Sequence, residues 1–355
     1  MSRVARIVGV GDYTPSNRIT NEQIARAIPG WGAELIREKT GILERRFLCA
    51  LDEVAGRSLR PWDGVRSNTD MAEVALREAL EMGCVLPSSV DALFLVTSTP
   101  DRPDFSHDAM QLHRRLGLRA DALAFVINDG CGGTPYVLDL VNKLLTSGGV
   151  RTAAVVASNF ASAYVDRRVY TDPVAVGGHR LSGFLSMYVF GDGAGAVVLR
   201  GDEGPGGVLD SLVLSSHEPL VVRRGGGAEC PVLLDDARPG DFAFVVNGRE
   251  VAASYPHFMR ACVEGVTRGA ADEVRRFYLH QPNKRVLERF MADAGLSPSQ
   301  VACTVERYGN TSAAGMLVAL SEDVRQGVVR LGDGELVCIA AVGANVHAGA
   351  QLIRL

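Results

Sequence analysis

The chain has 355 residues, 47% hydrophobic and 22% charged, with a formal net charge of −4. That is enough apolar material for one big domain or two tightly joined ones, and the positive residues are too scattered for a nucleic-acid partner. Seven cysteines, at 49, 84, 131, 230, 262, 303 and 338, are widely spaced with no CxxC pair, which argues against structural zinc and against a disulfide framework.

The first residues lack the apolar stretch and small-residue cleavage site of a secretion signal. No later run offers about 18 unbroken apolar residues for a membrane span, so a cytoplasmic protein is expected. Helix-period segments at 69–83, 106–117, 283–295 and 311–327 alternate with short apolar runs at 91–98, 122–129, 152–159, 187–200, 207–216, 275–280 and 336–345. Several runs are apolar throughout, as in strands covered on both faces, so the class is α/β with buried parallel or mixed sheet. Residues 164–183 and 223–240 show no period and are expected to be surface loops, which in compact enzymes often cover active sites.

A faint repeat runs through the chain. Cys131 opens a helix that ends near Gly148 and is followed by a strand; Asn310 opens a helix that ends near Gly327 and is followed by another. Glycine-bearing strand pairs close both parts, so two similar halves are expected, 1–200 and 201–355.

Cys131 follows the run ending at Ile127 and the turn Asn128, Asp129, Gly130, and precedes Gly132, Gly133, Thr134 and Pro135. A sulfur at a helix N-terminus gains from the unpaired N–H groups, which favour thiolate over thiol, and small neighbours let a carbonyl approach the backbone. Taken alone, a cysteine is more often buried and inert. His280 ends an apolar run before Gln281, Pro282 and Asn283, at a strand end where sites gather; alone it reads equally well as a satisfied edge histidine. Asn310 lies in a Gly-Asn-Thr turn that alone reads as a helix cap. The three together are far more specific than any one.

These segments, with Lys39-Thr40-Gly41-Ile42 and Phe190-Gly191-Asp192-Gly193-Ala194-Gly195, resemble the ketosynthase III family of the thiolase superfamily in order and spacing over nearly the whole chain. The resemblance implies the five-layered αβαβα thiolase fold, a homodimer, and a catalytic triad falling on Cys131, His280 and Asn310. It also implies an oxyanion site built from the backbone of Cys131 and of Ala344. Acyl groups would come from acyl-CoA or acyl carrier protein and meet a malonyl thioester, with no metal or redox cofactor. Arg285 resembles the family's basic contact for the pantetheine arm or its nucleotide, and Lys39 and Asn283 are expected to bind substrate. Phe105 sits where relatives send a phenylalanine into the partner's acyl pocket.

Departures accompany the match. Leu35 and Lys39 replace the family's Trp and Arg at the CoA adenine contact, which leans toward a carrier-protein donor. Gly130-Cys131-Gly132-Gly133 replaces Ala-Cys-Ala-Gly, and Gly343-Ala344-Asn345 replaces three glycines, with His347 close behind. An enzyme of specialised, polyketide-type metabolism is therefore expected. It would condense an unusual acyl starter with malonyl or, alternatively, transfer the acyl group from Cys131 to a hydroxyl, amine or carrier thiol. An inactive partner subunit is the reading from another class. Thiolases need a second catalytic cysteine near the C-terminus, and Cys338, inside an apolar run, reads as core instead.

Overall fold

A computed structural model describes residues 3–52, 64–176, 179–181, 183–231 and 237–355. Two sheets organise it. The first contains β1 (Arg3–Tyr13), β2 (Ala92–Val96), β3 (Leu123–Ile127), β4 (Thr152–Asn159) and β5 (Gly193–Glu203), in the order β1-β5-β4-β2-β3. The second contains β6 (Gly207–Ser215), β7 (Arg276–Leu279), β8 (Leu336–Val342) and β9 (His347–Arg354), in the order β6-β9-β8-β7. In each sheet parallel pairs (β3, β2 and β4; β7 and β8) are extended by antiparallel strands.

Helices α1 (Asn68–Met82) and α2 (His107–Leu116) cover the outer face of the first sheet, and α4 (Gly248–Thr267) and α5 (Lys284–Ala294) that of the second. Between the sheets lie α3 (Gly133–Thr146) and α6 (Gly315–Arg325), giving five layers. This arrangement explains the fully apolar runs: every residue of β4 and β8 is buried, because helices close both faces. Where a helix comes closest, the strand gives up its side chain. A Cβ on Gly11 of β1 would lie 2.3 Å from the Ala75 carbonyl oxygen of α1.

Three sequence expectations change. The run 187–200 is not all strand: Phe184–Val189 is helical and the strand begins at Gly193. The break is held by Asp192, whose buried carboxylate accepts from the Leu48 N–H (2.7 Å), the Ser162 N–H (2.8 Å) and the Ser162 hydroxyl (2.5 Å). Residues 164–183 are not a surface loop in their described part. A short helix, Arg167–Thr171, N-capped by Asp166, precedes the hairpin Val174–Val176/His179–Leu181. Val165, Tyr170, Val174 and Val176 are buried there against Ile19, Phe47 and Tyr188. Elements of three to five residues are too short to show a period. In 223–240, residues 232–236 lie outside the described residues; the rest includes buried Cys230 and part of a cavity wall. Likewise, α6 begins at Gly315, after a single tight turn, Ser312–Ala314. Among the described residues no helix is long and apolar enough to cross a membrane.

Candidate active site

Cys131 sits in the tight turn Gly130–Gly132 between β3 and α3, and Asn310 stands before the matching turn that opens α6. The two turns are tied directly. The Thr134 hydroxyl donates to the Ala313 carbonyl (2.8 Å), and Cys131 Sγ lies 3.3 Å from Ser312 Oγ. The C-terminal turn closes against them so tightly that a Cβ on Gly132 would fall 1.9 Å from the His347 carbonyl oxygen, and one on Gly343 2.1 Å from the Gly132 nitrogen. Only glycine backbone allows that approach.

His280 continues β7 by donating its backbone N–H to Ala340 (2.8 Å), while the Tyr255 hydroxyl donates to the His280 carbonyl. The backbone of Asn310 is gripped by the helix break described above: its N–H donates to Val189 (2.7 Å), and Gly191 donates to its carbonyl (3.0 Å). Its side-chain oxygen accepts from the Ser312 N–H (2.8 Å), leaving the NH₂ only a long contact, 3.4 Å, to the Pro282 carbonyl. Backbone strain gathers at the same place. Ser312, Asn345 and Val346 all hold φ near +50°, a conformation costing on the order of 1–3 kcal/mol for a side-chain-bearing residue and kept only where surroundings enforce it.

Cys131, His280 and Asn310 line one narrow cavity of about 60 Å³, with Ala344 and Asn283 on its wall. On its other side Cys131 opens into a wider cavity of about 390 Å³, which Ala344 and Ser312 also line. The sulfur therefore stands where two chambers meet.

Burial sets the protonation states. It pushes the Cys131 thiol up to about 11, against the opposing hydrogen bond from Ser312. This direction is opposite to the one expected from the helix N-terminus alone. Burial also lowers the His280 imidazole to about 4. The nearby Asn310 carboxamide and Val342 backbone favour its charged form but offset little, since neither ring nitrogen reaches a hydrogen-bond partner among the described residues. Thiol and imidazole are thus both neutral at pH 7. Alkylation of Cys131 by iodoacetamide is expected to rise with pH through 9 toward 11, by about tenfold per unit while thiolate is the minor form. A rate that levels off below pH 8 in rapid-mixing experiments would contradict this.

The remaining predicted residues lie elsewhere. Lys39 is exposed and pairs with Glu38 (2.7 Å). Arg285 donates to the Glu38 carbonyl (3.0 Å) and pairs with Glu288 (3.0 Å), so neither cation lines the two cavities. Asn283 lines the narrow cavity but spends its side-chain oxygen capping α5, accepting from the Val286 N–H at 3.0 Å. Phe105 is 97% exposed. Cys338 is fully buried with its thiol pushed up by desolvation, as a core residue should be. Sequence reasoning missed the contact from Ser312, although it lies only two residues after Asn310, and the anchoring by Tyr255, for which no signal existed.

Relatives bear on this geometry. The 3-oxoacyl-[acyl-carrier-protein (ACP)] synthase III model matches residues 125–217, which hold Cys131; the C-terminal model of the same synthase matches 267–355, which hold His280 and Asn310. The β-ketoacyl-[acyl-carrier-protein] synthase III of Rhodospirillum rubrum is 32% identical, with 98% of each chain covered. The chain belongs to the ketosynthase III family. Ketosynthase III structures share its fold: the Aquifex aeolicus 3-oxoacyl-[acyl-carrier-protein] synthase III superposes with TM-score 0.79 at 27% identity, covering 99% of this chain and 100% of that one. The priming β-ketosynthase of the R1128 polyketide pathway gives 0.78 at 25% identity, covering 100% and 97%. The fold is accordingly the thiolase fold, and the protein is an acyltransferase-type enzyme whose family uses acyl thioesters without a metal or other cofactor.

Proposed function

We propose that this ketosynthase III loads an acyl group onto Cys131 and condenses it with a malonyl thioester, in specialised rather than housekeeping metabolism. In the first half-reaction the sulfur attacks a thioester carbonyl, the carrier thiol leaves with the proton, and the acyl group stays on Cys131. The backbone of Cys131 and Ala344 would hold the oxyanion. In the second half-reaction, the malonyl thioester carbonyl would accept from His280 and Asn310 while carbon dioxide leaves, and the resulting enolate carbon would attack the acyl-Cys131 carbonyl.

One observation carries this reading: the buried, neutral His280 has both ring nitrogens unclaimed and the Asn310 NH₂ is only weakly engaged, beside the sulfur in one narrow cavity. Unpaired buried polar groups are costly to the fold. They suit an oxygen that acquires charge only during reaction. The narrow chamber has apolar walls from Leu185, Val246, Val251 and Val286, which would fit a pantetheine arm. With Arg285 and Lys39 engaged by Glu288 and Glu38, and Leu35 in place of an aromatic, a carrier-protein donor is favoured over CoA. The similarity to the R1128 enzyme and the departures around Cys131 support the specialised role.

Incubation with an acyl thioester and carboxyl-labelled malonyl thioester tests this, with released label and a β-ketoacyl product expected. A neutral imidazole could also act as general base, so acyl transfer to an alcohol or amine without release of label would replace condensation.

The same proposal includes a homodimer. The outer edge of β3 is unpaired among the described residues, and Leu123 and Phe125 on it are 45% and 44% exposed beside the exposed Phe105 and Met110. Such an apolar edge invites pairing, and Phe105 would then reach the partner's wide cavity. Light scattering is expected to give twice 37.9 kDa; a single-chain mass at micromolar concentration would contradict it.

A further inference from the structure

The wider cavity beside Cys131 carries on its solvent-exposed side a cation that the reaction itself does not use. Arg223 lines it together with Tyr164 and Phe244. The guanidinium carbon lies 5.2 Å from the centre of the Tyr164 ring and 5.4 Å from that of Phe244, and the two rings pack edge-to-face at 5.1 Å. Ring faces on two sides hold the cation in place but supply no hydrogen-bond acceptors. Its neighbour Arg224 is neutralised by Asp241 (2.9 Å), whereas no carboxylate pairs with Arg223 among the described residues. A planar fork of donors, oriented and without an acid, is a receptor for a carboxylate.

The rest of the wall agrees. Thr99 and Asn159 turn hydrogen-bonding groups to the backbone at Phe160 and Gly191, but Ser98, Asn128, Asn345 and His347 also line the chamber. A plain alkyl chain would leave such groups facing hydrocarbon. Besides Arg223, the charged or titratable side chains on this wall are Asp129, His347, Tyr164, Tyr170 and Cys131 itself. Asp129, two residues before Cys131 in the sequence, is the one carboxylate on this wall among the described residues.

We infer that the wide cavity selects acyl groups ending in a carboxylate, delivered as monothioesters of dicarboxylic acids, with the distal carboxylate bound by Arg223. This rests on Cys131 being the acylated residue. The chemistry of loading is unchanged: the thioester C–S bond breaks, a new one forms to Cys131, the thiol leaves with the cysteine proton, and the distal carboxylate is a spectator.

The test uses N-acetylcysteamine thioesters, which lack the phosphate of a natural carrier and so remove that second possible anion. Succinyl is compared with butyryl and adipyl with hexanoyl, with the acyl-enzyme read by intact mass over time. At least one carboxylated member should load about tenfold faster than its methyl-ended partner, the effect of one charge-assisted pair, and Arg223→Gln should bring that ratio close to one. Methyl-ended partners loading as fast in both pairs, or a ratio that survives Arg223→Gln, would overturn the inference while leaving Cys131 acylation standing. Absence of any adduct from all four thioesters would instead sink the acylation reading, and this inference with it. Butyryl loading by the variant shows that it is folded.

Discussion

Alanine at His280 or at Asn310 is expected to lower release of labelled carbon dioxide from malonyl thioester by about 10²–10³-fold each, the usual cost of removing one donor to a developing oxyanion. The two act on one oxygen, so the double variant should lose little more than the worse single one. The geometry motivates the size of the effect. Both groups are buried, where water cannot replace a missing donor, and both face the chamber that Cys131 shares. Acyl loading should survive Asn310→Ala, since the sulfur's own contact is to Ser312. If label is released within about threefold of the wild-type rate by both single variants, the donor roles are wrong.

Cys131→Ala is expected to abolish the acyl adduct and to cut formation of condensed product by at least about 10⁴-fold, because no covalent intermediate can form. Carbon dioxide release should persist, though uncoupled, since His280 and Asn310 remain. The other six thiols offer no rescue, since none of them lines the two cavities, and Cys262 and Cys338 are buried in the core of the second sheet's outer layer with their thiols pushed up by desolvation. Loss of label release along with loss of adduct would mean that the substitution disturbs the turn itself, and product formed at the wild-type rate would exclude the covalent route.

Much of this site could be read from the chain because its signals are local and strong. Fully apolar runs such as 152–159 announce strands closed on both faces, and Cys131 stands where the strand Leu123–Ile127 gives way to a helix through glycines, whereas Asn310 follows the short helix Val305–Tyr308. What escaped depends on distant contacts. Nothing in residues 184–189 distinguishes a short helix from a strand until Asp192 reaches Leu48 and Ser162 and the backbone of Asn310 docks beside Val189. The dipole argument for a thiolate at Cys131 uses only the local turn, whereas depth of burial is a tertiary property, and it pushes the thiol the other way. The clamp of Tyr164 and Phe244 on Arg223 joins segments about eighty residues apart, one of them in a stretch whose short elements leave no period.

Intact-mass measurement of the wild-type protein after exposure to an acyl-carrier-protein or N-acetylcysteamine thioester tests the central claim most directly. The predicted result is a gain of one acyl group per chain, mapped by peptide fragmentation to Cys131 and reversed by hydroxylamine. A protein that stays unmodified with every thioester offered, or carries the acyl group on another residue, would contradict it and favour a partner subunit without chemistry of its own.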